Sequence, residues 1–67
     1  MTIGEKIKEL RCEHDWSQGI LAYKTGLRQQ HISLWETGKY EPSISSCIAL
    51  ANVFGVTLDE LCCREVQ

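Results

Sequence analysis

The fold is decided by residues 18–37, which read QGILAYKTGLRQQHISLWET. The spacing of the apolar residues predicts two short helices that meet at a tight turn. Gly26 suits the position just after the first of these helices, where a left-handed backbone costs glycine nothing. Ala22 is small enough to let the two helices approach closely near the turn. The residues predicted to turn inward are Ile20, Leu21, Ala22, Leu27, Ile32 and Trp35.

The outward face of the second helix carries side chains suited to hydrogen bonding with base edges. In the major groove, a guanidinium matches the edge of guanine and a carboxamide matches the edge of adenine. This helix is therefore predicted to read DNA, although on a generic helix such glutamines would be solvated surface residues. The predicted base-reading residues are Arg28, Gln29, Gln30, Ser33 and Leu34.

Beyond this stretch, the chain resembles the Xre family of regulators, which includes Cro and phage repressors, over nearly its whole length. Ser17 and Gln18 match the Ser-Gln pair that opens the first helix of the family's motif. The run WETGK at 35–39 matches the family's Trp-Glu-x-Gly-Lys ending of the second. Gly19 stands where a helix former is usual, and Arg28 occupies the usual Ser or Thr cap. The resemblance implies an all-α, compact five-helix, lambda-repressor-like domain whose helices 2 and 3 form a helix-turn-helix.

The resemblance also implies which residues meet the DNA backbone. Gln18 lies at a helix N-terminus, where free N–H groups favour a phosphate. The predicted phosphate-contacting residues are Gln18, Thr37, Lys39 and Tyr40. The alternatives are a solvated loop lysine at position 39 and a tyrosine packed beneath the loop at position 40.

Caps and apolar spacing predict five helices. Their approximate spans are 2–13, 18–25, 29–36, 44–54 and a last helix from 58 onward, capped by Thr57. The fourth helix is predicted to have a broad apolar face made of Ile44, Cys47, Ile48, Leu50, Ala51 and Phe54.

The formal net charge of −2 is not the basic footprint usual for a DNA-binding protein. The charge is unevenly distributed, however. Residues 1–16 sum to −1, residues 17–40 to +2, and residues 41–67 to −3. Positive charge therefore lies on the proposed reading unit, which favours orientation on DNA and weak, salt-sensitive non-specific binding.

The 67 residues are predicted to form one DNA-binding domain over 1–67, with a core so small that a second copy would stabilise it. The apolar residues expected to pair two copies are Val56, Leu58, Leu61, Cys62 and Val66. A homodimer would place two recognition helices about 34 Å apart, one turn of DNA. Its predicted target is therefore double-stranded DNA with two-fold symmetry.

The four cysteines lack the C-x-x-C spacing of a structural zinc site, so we predict no metal and no other cofactor. Cys47 and Cys62 are expected to act as small hydrophobic residues. Cys12 and Cys63 are expected to be exposed, and a redox role for them stays open.

Several classes of protein are excluded by the inventory of residues. The sequence offers no nucleophile paired with a base and no glycine-rich phosphate loop, so an enzyme is not predicted. No apolar run approaches the roughly 20 residues that span a membrane. Charges interrupt the N-terminal helix at every turn, unlike a signal peptide. We therefore expect a cytoplasmic protein with no membrane partner.

The function predicted from these patterns is sequence-specific DNA binding by a homodimer that regulates transcription by occupying an operator. The alternative is an antitoxin-type or adaptor module whose helix-turn-helix mainly binds a protein partner, which the sequence does not identify. The acidic balance and the apolar Leu34 favour this alternative slightly, whereas the Arg-Gln-Gln triplet at 28–30 favours DNA.

Overall fold

The computed structural model describes residues 2–62, which form five helices joined by short turns. The helices are α1 (Ile3–Glu13), α2 (Gln18–Thr25), α3 (Gln29–Glu36), α4 (Ile44–Phe54) and α5 (Leu58–Leu61). There is no strand within residues 2–62, so the predicted all-α, five-helix fold is confirmed. None of these helices is both long enough and apolar enough to cross a membrane.

The ends of the helices are fixed by the side chains that the sequence places there. Four of the five helices begin with a hydroxyl cap, from Thr2, Ser17, Ser43 and Thr57. Each hydroxyl accepts a hydrogen bond from the backbone N–H three residues later, which satisfies a donor that has no partner within the helix. Only α3 begins without a side-chain cap, at Arg28.

One apolar core collects residues from all five helices. Its buried members are Ile7, Leu10, Leu21, Ile32, Trp35, Cys47, Leu50, Ala51, Phe54 and Leu61. Trp35 and Cys47 lie in this core as the sequence indicates. Burial raises the pKa of the Cys47 thiol to about 11, and the neighbouring Cys62 thiol adds to this. Cys47 is therefore protonated at neutral pH and behaves as a small hydrophobic residue.

The structure corrects the prediction that Leu61 pairs two copies of the chain. This side chain is completely buried within one chain, because α5 folds back onto α4 and α1. It has no surface left for a partner. Cys62 is half-buried against the same core, whereas Val66 and Cys63 lie outside the described residues. Cys12 is exposed, as predicted.

Three isoleucines predicted to be inward are exposed instead. On α4, the inward face is centred on Cys47, Leu50 and Phe54, and Ile44 and Ile48 fall at its edge, with 74% and 45% of their surface exposed. On α2, only Leu21 is fully buried, and Ile20 is 43% exposed. In both helices the apolar arc in the sequence is wider than the surface that the neighbouring helices cover.

Gly4 lies where α1 and α3 approach each other closely. A Cβ atom at this position would overlap the carbonyl oxygen of Trp35 and lie 2.8 Å from its carbonyl carbon. These are backbone atoms, so a rotamer change cannot make room. The absence of a side chain at Gly4 therefore allows α1 to cross the C-terminal end of α3.

We predict that Gly4→Ala lowers the free energy of unfolding by about 1–3 kcal/mol or more, because the two helix backbones must move apart. Thermal and urea unfolding followed by circular dichroism measures the change. Gly19→Ala is the matched control, since its Cβ would meet only side-chain oxygens at ordinary contact distance, from Gln29 at 3.4 Å and from Ser17 at 3.8 Å. The control should unfold at or above the wild-type midpoint, because alanine favours a helix by up to about 1 kcal/mol over glycine. Equal midpoints for Gly4→Ala and the wild type would contradict the close approach.

Candidate nucleic-acid interface

A shallow cleft of about 590 Å³ lies along the outer side of α3, beside the first turn of α2. Its lining residues are Gln18, Gln29, Gln30, Ser33 and Leu34. The structure thus brings four of the five predicted base-reading residues together with one predicted phosphate contact. Arg28 lies at the start of α3 but does not line the cleft.

The cleft presents polar groups at its N-terminal end and an apolar group further along. Gln29 and Gln30 are exposed, whereas Ser33 and Leu34 are half-buried, one turn further along α3. Gln29 Oε1 lies 3.4 Å from the position that a Cβ of Gly19 would take. The Gln29 carboxamide therefore lies over the start of α2, within van der Waals contact of a side chain at position 19.

Arg28 occupies the cap position of α3 in an extended conformation, and its side chain makes no capping hydrogen bond. The side chain is exposed. Because no hydroxyl or carboxylate caps this helix, its first backbone N–H groups keep the positive end of the helix dipole open to an anion. Arg28, in place of the usual Ser or Thr, thus adds a positive charge beside a helix end that already attracts anions.

A partly buried ion pair lies behind the cleft, where α1 meets the end of α3. Arg11 Nε donates to Glu36 Oε2 at 2.8 Å, and Arg11 Nη2 donates to Glu36 Oε1 at 3.0 Å. The remaining Arg11 nitrogen donates to the Trp16 carbonyl at 2.8 Å. The hydrogen bonds with Glu36 raise the pKa of the Arg11 guanidinium. Gln18 Nε2 also donates to Glu36 Oε1, at 3.1 Å.

The burial of Glu36 changes the electrostatics of the whole motif. Glu36 is the only acid in residues 17–40, and its side chain is 4% exposed and neutralised by Arg11. The three cations of the same stretch, Lys24, Arg28 and Lys39, are all exposed. Lys24 Nζ lies over the Trp16 ring, 4.9 Å from its centre. The outer surface of the motif is therefore more positive than its net charge of +2 indicates.

The loop after α3 carries the other predicted phosphate contacts. The backbone N–H groups of Lys39 and Tyr40 both point to the Leu34 carbonyl, at 3.1 and 3.4 Å, and Gly38 turns the chain with a φ of +82°. The Thr37 hydroxyl donates to that same carbonyl at 3.1 Å. Thr37, Lys39 and Tyr40 are exposed. The loop is thus folded back on the end of α3, with the Lys39 side chain outside.

The ion pair between Arg11 and Glu36 is not predicted from the sequence. They are 25 residues apart, and each follows an ordinary polar pattern on its own helix. A glutamate at the end of a helix is more often solvated than buried. The one sequence feature that could have suggested an ion pair is Arg11 itself, because it is the only arginine before the motif.

A separate apolar surface remains exposed on α4 and α5. Ile44, Ile48 and Leu58 are its exposed members, and Val56 and Cys62 are half-buried. Ile44 and Cys62 both line a groove of about 490 Å³, together with residues from the start of α1 and from the loop after α3. Cys62, one of the predicted interface residues, thus lines the same groove as Ile44, which belongs to the predicted apolar face of the fourth helix.

Comparison with known proteins identifies the family. The family model described as Helix-turn-helix matches residues 7–61. An uncharacterized HTH-type transcriptional regulator of Methanocaldococcus jannaschii is 38% identical over 56 residues, which cover 84% of this chain and 85% of that protein. The immunity repressor protein of Bacillus phage phi105 is 33% identical over 61 residues, covering 91% of this chain and 42% of the repressor.

A solved structure agrees with these sequence matches. The restriction-modification controller protein C.AhdI from Aeromonas hydrophila superposes with a TM-score of 0.83 at 29% identity, over 88% of this chain and 89% of that chain. The similarity therefore extends well beyond the two-helix motif. The chain therefore belongs to the Xre/Cro-like helix-turn-helix family of DNA-binding transcriptional regulators, which are not enzymes.

Proposed function

We propose that this protein is a cytoplasmic regulator that binds a specific operator as a homodimer and controls transcription by occupying it. One helix-turn-helix domain over residues 1–67 carries this function. The observation that supports it best is the exposed face of α3, where two neighbouring carboxamides, Gln29 and Gln30, line an open cleft beside exposed cations. The names of two similar proteins, an immunity repressor and a controller protein, agree with this proposal.

Base reading is assigned to the outer face of α3. A carboxamide on the N-terminal half of a recognition helix can form two hydrogen bonds with adenine, and the exposed Arg28 can do so with guanine. Ser33 can hydrogen-bond to several bases, and the half-buried Leu34 offers an apolar contact for a thymine methyl group. The polar and apolar halves of the cleft therefore suit different base pairs.

Replacing Gln29 or Gln30 with alanine should weaken binding to the selected operator by about 1–3 kcal/mol and leave binding to random DNA nearly unchanged, because only base contacts are lost. Fluorescence anisotropy on both duplexes measures the difference. Asn52→Ala is the matched control, since it removes an exposed carboxamide from α4 instead. An equal loss on both duplexes would contradict base reading by these residues.

Contacts with the DNA backbone are assigned to the two ends of the motif. Gln18 lies at the start of α2, whereas Thr37, Lys39 and Tyr40 lie in the loop after α3. A phosphate only accepts hydrogen bonds, so the Thr37 hydroxyl would have to leave the Leu34 carbonyl to donate to it. Lys39 has no such constraint, because its ammonium is exposed and carries a full charge.

Lys39→Ala should therefore weaken binding to all sequences alike and lower the slope of log affinity against log salt by about one unit. The slope comes from anisotropy titrations between low and moderate salt. Lys8→Ala is the control, because this exposed lysine lies beside Glu5 and Glu9 on α1 and should leave the slope unchanged. An unchanged slope for Lys39→Ala would show that Lys39 is only a solvated loop residue.

Assembly into a homodimer is assigned to the apolar surface on α4 and α5. One copy offers a single eight-residue recognition helix and three nearby cations, which is little for tight binding to one site. Two-fold pairing doubles these contacts and matches two half-sites one turn apart. The proposed interface keeps Val56, Leu58 and Cys62 and adds Ile44 and Ile48.

Leu58→Asp should shift the protein towards monomer and weaken operator binding, because a charge would replace an apolar contact between copies. Sedimentation velocity measures the shift. The variant should stay folded, since Leu58 is the first residue of α5, where the helix dipole favours an acid. Tyr23→Asp is the control for sedimentation, because Tyr23 is 90% exposed on α2. A wild-type protein that sediments as a monomer at high concentration, free and on DNA, would contradict the homodimer.

The alternative, a module that mainly binds a protein partner, predicts a different dependence of duplex affinity on salt concentration. Leu34, which favoured that alternative as an outward apolar residue, is half-buried within the cleft. A DNA-binding domain releases counterions, so its affinity for a duplex falls steeply as salt increases. A flat salt dependence, or no measurable duplex binding at low salt, would favour the protein partner.

A further inference from the structure

The Glu36 carboxylate does more than balance the charge of Arg11. Arg11 approaches it with two nitrogens, at 2.8 and 3.0 Å, which is the two-bond arrangement of a strong guanidinium–carboxylate pair. This pair alone neutralises both charges. The third donor, Gln18 Nε2 at 3.1 Å, comes from a different helix and adds no charge. Its bond therefore needs a separate explanation.

The bond fixes which way the Gln18 carboxamide faces. An ionised carboxylate has acceptors only, so the group that turns towards Glu36 must be the NH₂ and not the carbonyl oxygen. The Glu36 side chain is 4% exposed, so water competes poorly for its oxygens. Gln18 consequently keeps its carbonyl oxygen and one N–H for other partners, in one defined orientation.

These remaining groups of Gln18 belong to the proposed DNA face. Gln18 lines the same cleft as Gln29 and Gln30. The Gln29 carboxamide lies over Gly19, the residue that follows Gln18. An ordered Gln18 amide is therefore placed next to the side chains assigned to base reading.

We propose that Glu36 is a positioning residue for DNA recognition, which holds the Gln18 carboxamide in its binding orientation before DNA arrives. This inference rests on the proposed function. A glutamine that is free before binding loses side-chain entropy when DNA orders it, and this lowers affinity. A glutamine that is already held in one orientation avoids most of that loss. Arg11 supports the arrangement by holding the Glu36 carboxylate in place with two hydrogen bonds.

The test is a double-mutant cycle with Glu36→Gln and Gln18→Ala, with affinity measured on a duplex that the wild-type protein recovers from a random pool. Glu36→Gln has nearly the same shape, but its amide can turn either an oxygen or an NH₂ towards Gln18. With Gln18 present, we expect Glu36→Gln to lower the affinity for this duplex by about 3- to 10-fold. In the Gln18→Ala background, the same change should have almost no effect.

A measurement on the free protein accompanies the cycle. In the wild type, the side-chain NH₂ protons of Gln18 should give two well-separated NMR signals that exchange slowly with solvent. In Glu36→Gln the two signals should approach the values of an exposed glutamine. Ala51→Gly serves as the control for stability, because it weakens α4 at a buried position away from the cleft and should alter neither these signals nor duplex affinity.

Should Glu36→Gln fail to fold, Glu36→Asp replaces it in the cycle. This variant keeps the charge opposite Arg11 and shortens the reach towards Gln18. The inference would be overturned if the affinity losses from the Glu36 and Gln18 substitutions simply add on a recovered duplex. It would also be overturned if the Gln18 signals do not change in the Glu36 variant. Either result would leave the proposed function standing. Failure to recover any duplex would contradict the proposed function, and this inference with it.

Discussion

The structure depends on the crossing of α1 over the C-terminal end of α3. Gly4 lets the two backbones touch at Trp35, and the pairing of Arg11 with Glu36 fastens the same two helices two turns further along α1. Loss of either partner of this largely shielded pair would leave the other charge without compensation, so the pair favours one crossing of the two helices. The C-terminal end of α3 is thus held against α1, while Trp35 and Ile32 anchor the inner side of α3 in the core.

This arrangement leaves the other end of α3 to the proposed function. Arg28, Gln29 and Gln30 are exposed at the start of the helix, where neither a cap nor the core restrains them. Burial of Glu36 removes the one negative charge of the motif from its surface. The same contact that positions the helix therefore also makes its surface positive, in a protein whose net charge is −2.

The sequence predicts the helices well because their signals are local. Thr57 caps the last helix where predicted, and Gly26 adopts the left-handed conformation expected of it. Contacts between distant residues leave no such pattern, which is why Gly4 and the Arg11–Glu36 pair were missed. The apolar pattern also does not show which helix covers a given residue. Leu61 was therefore assigned to the surface although it is buried, and Ile20, Ile44 and Ile48 to the interior although they are exposed.

The central claim is that the outer face of α3 reads a specific DNA sequence. The most direct measurement is selection of bound duplexes from a random pool by the wild-type protein and, in parallel, by Gln29→Ala. The account predicts an enriched motif with two-fold symmetry and half-sites about one turn, or roughly 34 Å, apart. It also predicts that Gln29→Ala loses preference at one position of each half-site and keeps the rest. Recovery of no motif, or of identical motifs from the two proteins, would contradict the claim.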